Sequence, residues 1–284
     1  MTNKAPTSGI LYVVATPIGN LEDLAPRARQ TLASVDLVAA EDTRHTGRLL
    51  STIGAKPRQM ALHDHNEAQV VERVIQALES GKNVALVSDA GTPLLSDPGY
   101  RLVREAHARN VAVVPVPGAS AVTAALSVAG LPTDRFCFEG FPPAKRTARR
   151  EWLRALAAEQ RTLVFYESVH RIRDCVADLA DVFGKQRDAY LGRELTKLHE
   201  QCVHATLGEL CERLDDDSIP AKGEFVLVVA GAPHAPSSAV DVDRLLAELA
   251  GRLPAKEVAR IAASVTGLRR NDLYQRVLSL RNDS

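Results

Sequence analysis

Four uninterrupted apolar runs mark the first half of the chain: "ILYVVAT" from Ile10, "VDLVAAED" from Val35, "NVALVSDA" from Asn83 and "VAVVPVPG" from Val111. Between them the spacing changes to that of helices, in "APRARQTLASV", "NEAQVVERVIQALESG" and "GYRLVREAHARN". Strands that are apolar throughout are buried on both faces, and helices between them supply the cover. The pattern predicts a parallel sheet in a layered α/β domain. "GASAVTAALSVAGLP" follows as a helix, with Ser120 as N-cap, Gly130 as the left-handed terminator and Pro132 as the stop.

A second α/β set comes next. "DRFCFEGF", "RTLVFYES", "DAYLGREL", "CVHATLGEL" and "GEFVLVVAG" read as strands, and "VHRIRDCVADLADVFG" as a helix ending at Gly184. "GAPHAPSSA" has the composition of a linker. Three short helical patterns close the chain: "VDRLLAELAG", "PAKEVARIAASVTG" and "RNDLYQRVLSL". The expected organisation is a disordered tail over 1–9, α/β domains over 10–122 and 123–232, and a helical extension over 240–284.

Composition narrows the function classes. Of 284 residues 45% are hydrophobic, enough for sizeable cores, and 35 basic residues balance 35 acidic ones. Any nucleic-acid surface must therefore arise from local clustering of charge. Cys137, Cys175, Cys202 and Cys211 are scattered, as in reduced cytosolic thiols. "HEQCVH" brings His199, Cys202 and His204 together, but in no common zinc spacing, so no metal is expected. The N-terminus lacks the apolar core of a signal peptide. The longest uncharged run, beginning at Val111, is cut by Pro115, Pro117 and Gly118, which argues against a membrane span. A soluble cytoplasmic protein is expected.

Candidate chemistry lies in three loops after the first, third and fourth of these strands, since ligands of open α/β sheets sit beyond the carboxyl ends of strands. They are "ATPIGN", "SDAGTPLLSDPG" and "PVPGASA". In the second, Gly91 permits a tight turn, Pro93 stiffens it, and Asp89 and Thr92 offer hydrogen bonds. Asp97-Pro98 reads as an N-cap followed by Pro at the first helical position. None of the loops is a G-x-x-x-x-G-K-[ST] phosphate loop or a clean G-x-G-x-x-G, so a nucleoside triphosphate is not indicated.

The ordered segments "LYVVATPIGNLEDL", "AAEDTRHTGRLL", "VSDAGTPLLSDPGYRLV", "PVPGASAVTAALSVAGLP", "EGFPPAKRTAR", "VFYESVHRI", "GRELTKLHE" and "KGEFVLVV" extend over nearly the whole chain. Together they resemble the bacterial ribosomal RNA small-subunit cytidine 2′-O-methyltransferases, RsmI type, of the tetrapyrrole methylase superfamily. The resemblance implies S-adenosylmethionine held in a cleft between two α/β domains, a homodimer, a helix-turn-helix-like C-terminal extension, and a decoding-region cytidine of 16S rRNA as target. It implies cofactor contacts at Pro17, Gly19, Asp89, Ala90, Gly91, Thr92, Pro93, Ser120, Ala121 and Tyr166. Relatives that methylate tetrapyrroles generally carry a Gly-rich first loop and Gly-Asp-Pro in the later one. "ATPIGN" and "SDAGTP" depart from that pattern, which favours RNA over a porphyrin.

A ribose hydroxyl is a poor nucleophile, so a base, or a cation that stabilises developing alkoxide, is needed beside it. Lys197 or Glu194 is expected there, with Arg193 on a phosphate; if "GRELTKLHE" is extended, Arg193, Leu195 and Lys197 share one face. Glu167 and His170 of "YESVHR", and Asp42 and Arg44 of "EDTRHT", are alternatives. RNA contacts are expected from Arg44, from Lys145, Arg146 and Arg149 (with Arg150, Arg154, Phe141 and Trp152 nearby), and from Arg269 and Arg270 in the basic C-terminal helices. Two competing readings are a methylase of a tetrapyrrole or other small molecule, and a non-catalytic nucleic-acid-binding protein.

Overall fold

The computed structural model describes residues 8–63, 67–233 and 242–282. The expected tail through residue 7 and the linker from 234 to 241 lie outside them. Gly9, placed in the tail above, is buried, and its N–H donates to Leu78 O at 2.7 Å. The chain falls into two compact units, one up to Gly231 and one from Ala232 onward.

The first unit opens with β1 (Ile10–Val14), α1 (Pro26–Ser34), β2 (Leu37–Ala40), α2 (Thr43–Thr52), β3 (Arg58–Ala61), α3 (Glu67–Glu79), β4 (Val84–Val87), α4 (Tyr100–Ala108), β5 (Ala112–Val116) and α5 (Ala121–Val128). The strands form one parallel sheet in the order β3-β2-β4-β1-β5. Alternate residues of a strand face opposite sides, and the packing follows that period. Leu37, Ala39, Val84 and Leu86 meet α3 and α4 through Val74, Ile75, Leu78 and Leu102. Val38, Ala40, Ala85 and Val87 meet α1 and α2 through Leu32, Leu49 and Leu50. Two elements here carry little apolar signal. β3 is an edge strand with Arg58 and Gln59 exposed, and α2 is anchored mainly by Thr46, Leu49 and Leu50.

The rest of the unit comprises β6 (Phe136–Gly140), α6 (Arg146–Leu156), β7 (Thr162–Glu167), α7 (Ile172–Phe183), β8 (Asp188–Arg193), β9 (Gln201–Thr206), α8 (Leu207–Asp215) and β10 (Phe225–Val229). Its sheet is mixed, in the order β6-β7-β10-β8-β9, with β10 antiparallel to both neighbours. "CVHATLGEL", read as a strand, is a strand only to Thr206. Thr206 then caps α8 in a reciprocal capping box with Glu209, which satisfies two orphan N–H groups at the helix start.

One face of this second sheet packs on α6, α7 and α8. The other receives Ile18 and the apolar side of α5, with Val122, Ala125 and Leu126 against Val164, Tyr190, Val226 and Val228. The boundary expected at 122/123 therefore falls inside an unbroken helix that ties the two sheets together. Ser120 and Gly130 flank α5 as expected: Ser120 is the N-cap with extended backbone, and Gly130 has φ +68°. The Ser120 side chain makes no capping bond.

The second unit holds α9 (Val242–Ala250), α10 (Ala255–Thr266) and α11 (Arg270–Asn282), closed around Leu246, Val258, Ala262, Leu273 and Val277. Among the described residues no helix is long and apolar enough to cross a membrane.

Candidate functional site

The sheet order makes β4, β1 and β5 neighbours, so the three loops meet at their carboxyl ends. Thr16 and Gly91 exchange backbone hydrogen bonds at 2.9 and 3.1 Å, joining the first loop to the second. Thr92 Oγ1 donates to Ala119 O at 3.1 Å, joining the second to the third. Gly91 sits at φ +82°, where a Cβ would lie 3.1 Å from Ile18 Cγ2, so both conformation and space favour glycine.

Asp97 does not cap α4. Gly99 occupies the N-cap, because Leu94 and Ser96, both at positive φ, turn the chain before the helix begins. Asp97 is left on the wall of a cavity of about 440 Å³, within the usual range for small-molecule sites. The lining includes Asp89, Ala90, Gly91 and Thr92 from the loop after β4, Ala121 at the start of α5, Tyr166 and Glu167 at the end of β7, and Ser168 just past it. Of the expected cofactor contacts, six line this chamber. Pro93 is buried beneath the loop and Ser120 heads α5; neither lines it. Pro17 and Gly19 line a second cavity, of about 330 Å³, which shares Ile18, Asp89, Ala90 and Glu224 with the first.

The two chambers differ in charge. The first is lined by Glu41, Asp89, Asp97, Glu167 and Glu224, with no Lys, Arg or His among the described residues. Burial, opposed by a hydrogen bond from Ser88 and reinforced by Asp89, raises the Asp97 pKa above its ordinary value. Asp89 Oδ1 accepts from the Asp42 N–H at 3.0 Å. Glu167 is buried; its Oε1 pairs with Arg171 at 2.7 Å, while Oε2 has no hydrogen-bond partner among the described residues. Tyr166 packs edge-on against Phe138 and Phe141, and burial pushes its hydroxyl up to about 12. The second chamber adds His45, Arg48 and Lys197, beside Leu21 and Leu49, to the shared Asp89 and Glu224.

The segment after β8 is not extended. Glu194 and Thr196 have φ of +51° and +67°, and Lys197 N donates back to Glu194 O, so the chain turns and the expected alternation is lost. The turn brings Lys197 over Gly19, where a Cβ would lie 2.3 Å from Lys197 Cγ. Lys197 Nζ donates to Glu194 Oε1 at 2.8 Å and to Glu224 Oε2 at 3.0 Å. Burial would lower the Lys197 pKa, but these two carboxylates outweigh it and raise it, so the amine is charged and cannot serve as a base. Glu194 is the converse: burial is outweighed by Lys197 and the Glu224 N–H, and its pKa falls. Arg193, expected on a phosphate, instead donates to Lys222 O and His199 O and braces the turn.

Glu224 contacts both chambers, its side chain is 76% exposed, and its sequence signal is only its place ahead of an apolar strand. Glu41 likewise joins the acidic chamber from the end of β2. Asp42 caps α2 and pairs with the exposed Arg44 at 2.7 Å. His170 lines neither chamber.

Arg149 is a correction. It is 2% exposed and donates from Nε to Asp178 Oδ2 at 2.9 Å, so it cannot meet RNA. The helix period rotates it into the core while Lys145 and Arg146 stay outside. Arg146 and Arg150 also bond Asp178, and Arg150 bonds Asp181. In the second unit Arg269 and Arg270 are exposed.

A family model described as Tetrapyrrole (Corrin/Porphyrin) Methylases matches residues 10–211, and one described as RsmI C-terminal HTH domain matches residues 236–281. The chain is 52% identical over 269 residues to Ribosomal RNA small subunit methyltransferase I of Xylella fastidiosa, covering 94% of this chain and 98% of that one. It is 50% identical over 281 residues to the protein of the same name from Pseudomonas aeruginosa, covering 98% and 100%. Among solved structures, uroporphyrin-III C-methyl transferase from Thermus thermophilus complexed with S-adenyl homocysteine aligns at TM-score 0.54 and 19% identity, covering 78% of this chain and 97% of that one. A diphthine synthase aligns at TM-score 0.58 and 17% identity, covering 78% and 90%. These last two show a shared fold. The chain belongs to the tetrapyrrole methylase family, in the branch of the ribosomal RNA small subunit methyltransferases I.

Proposed function

We infer that the chain transfers a methyl group from S-adenosylmethionine to the ribose 2′-oxygen of a cytidine in 16S rRNA, acting as a cytoplasmic homodimer. One observation carries this reading: a carboxylate-lined chamber, without a Lys, Arg or His among the described residues, abuts a chamber to which Arg48, Lys197 and His45 are added. S-adenosylmethionine carries a net positive charge through its sulfonium, and a nucleotide carries a negative one through its phosphate. Each fits one chamber, and the shared wall sets them side by side.

The donor set suits the cofactor. Glu41, Asp89, Asp97 and the unpartnered Glu167 Oε2 supply negative charge, Gly91 and Thr92 a tight floor, and Phe141 and Tyr166 an aromatic side. When bound, the cofactor supplies an electrophilic methyl carbon. The chain's own task is alignment, which contributes on the order of 7–11 kcal/mol to such reactions. In this reading His45 and Arg48 hold the target phosphate. Glu224 Oε2 takes the hydroxyl proton; Lys197 Nζ donates to that carboxylate, and Glu194 Oε1 accepts from the Glu224 N–H and so fixes its backbone. Arg44, Lys145, Arg146, Arg269 and Arg270 remain the proposed outlying RNA contacts.

A transfer assay with methyl-labelled cofactor and small ribosomal subunits lacking the modification tests the reading. Label in a cytidine ribose is expected. Label in a porphyrin precursor, or none in RNA, overturns it; sedimentation reports the dimer.

A further inference from the structure

We propose that a groove along the free edge of the first sheet, lined by Arg58, Arg73 and Lys82, binds the sugar–phosphate backbone of RNA flanking the target nucleotide. The inference rests on the reading above that the substrate is RNA. β3 ends the sheet, and between it and α3 lies a cavity of about 620 Å³. α3 contributes Arg73, Gln76 and Ala77, three to four residues apart on one helix face, and Ser80 follows at its end. Lys82 enters from the turn before β4.

The charge is one-sided. Among the described residues Asp36 is the one carboxylate of the lining, and its Oδ2 is already taken by the Asn83 N–H at 2.8 Å. The acids Glu72 and Glu79 of α3 point to its other flank, where Arg109 pairs with both. Among the described residues Arg58, Arg73 and Lys82 form no ion pair. In a chain with equal numbers of acids and bases, three uncommitted cations sharing one groove call for an anion. The other polar donors, Gln59, Gln76 and Ser80, suit phosphate oxygens, and among the described residues the lining holds no aromatic ring on which a base could stack.

The groove also leads toward the site. A Cβ on Gly47 of α2 would lie 3.6 Å from Gln59 Nε2, so the groove's wall touches the helix that presents His45 and Arg48 to the cationic chamber. Arg58 pairs in register with Leu37 at the amino end of β2, whereas the chambers lie at the carboxyl ends. The four-residue strand spans roughly 13 Å, so backbone leaving the chamber past Arg48 would descend along the edge. A purely structural role would be to keep the edge solitary, since charged side chains on an edge strand deter pairing with another sheet.

The two roles separate by salt dependence. Each phosphate contact to a single strand contributes about 0.7 to the slope of log affinity against log salt. The triple variant Arg58→Ala, Arg73→Ala, Lys82→Ala is expected to lower the slope by about 2 and to weaken binding of a small-subunit RNA fragment roughly 10- to 100-fold at physiological salt. KM for the RNA rises, with kcat and S-adenosylhomocysteine affinity unchanged. Arg58→Lys with Arg73→Lys keeps the charge and is expected to keep the slope. An unchanged slope in the triple variant overturns the proposal, and an altered oligomeric state with unchanged slope gives the edge to a protein partner instead. A wild-type protein that binds cofactor but neither binds nor labels RNA removes the underlying reading, and this inference with it.

Discussion

Asp97→Asn isolates the electrostatic reason for the acidic chamber. The substitution keeps the shape of the side chain and removes one of the carboxylates that surround the cavity. Taken as a sphere, a chamber of about 440 Å³ is roughly 9 Å across, so an enclosed sulfonium lies roughly 5–8 Å from each wall carboxylate, worth about 2–3 kcal/mol at an effective dielectric of about 20. Water at the open mouth screens part of this, leaving about 1.5 kcal/mol, or roughly tenfold in affinity. S-adenosylhomocysteine lacks the sulfonium and keeps the amino acid charges, which cancel. Calorimetric titration of both ligands is therefore expected to show a roughly tenfold loss for S-adenosylmethionine and a much smaller one for S-adenosylhomocysteine. Acidifying the wild type should do the same. Because the Asp97 pKa lies above the ordinary carboxylate value, its charge, and with it the preference for the sulfonium, is lost at a higher pH than for a free aspartate. Equal losses for the two ligands, or none, would refute a chamber selected for positive charge.

Glu224→Gln is expected to lower the single-turnover rate about 100-fold or more while leaving S-adenosylhomocysteine affinity intact; an unchanged rate removes Glu224 from the reaction. Asp178→Ala leaves Arg149 charged and buried without its partner, at a cost of about 3–5 kcal/mol and a melting point lower by about 10 °C or more. The Asp178 pKa is lowered, since hydrogen bonds from Arg149, Arg146 and Arg150 outweigh the raising effect of burial. Its contribution is thus complete above the unfolded value near 4 and fades as pH falls through the folded one, so urea titrations of wild type and variant should converge in acid. Gly91→Ala incurs about 1–2 kcal/mol of left-handed strain and crowds Ile18, and should weaken both cofactor forms. Gly54→Ala has comparable strain but no neighbour within 4 Å, and should spare binding.

Much of this was legible in the linear chain because it depends on local period and turn chemistry. The wholly apolar runs announced the parallel sheet, "SDAGTP" the tight loop, and Ser120 and Gly130 the ends of α5. The edge strand β3 was not legible, because an exposed edge needs few apolar residues. Thr206 and Glu209 did spell a capping box, yet the apolar run ahead of them masks where the strand stops. Ordered motifs identified the family, since a series of matches in sequence order is far more specific than any one of them.

Tertiary structure alone decided which charges face which chamber. Arg149 and Arg146 sit in one basic run, but the pitch of α6 buries the first on Asp178 and exposes the second. Glu41, Asp97 and Glu224 are nearly two hundred residues apart at their extremes, and only the order of strands brings them to one cavity. Arg58, Arg73 and Lys82 form no run at all, and share a groove because an edge strand and a helix happen to flank it. Hydrophobic period is a property of neighbours along the chain, whereas an electric field sums over neighbours in space; the first can be read from residue order, and the second exists only after folding.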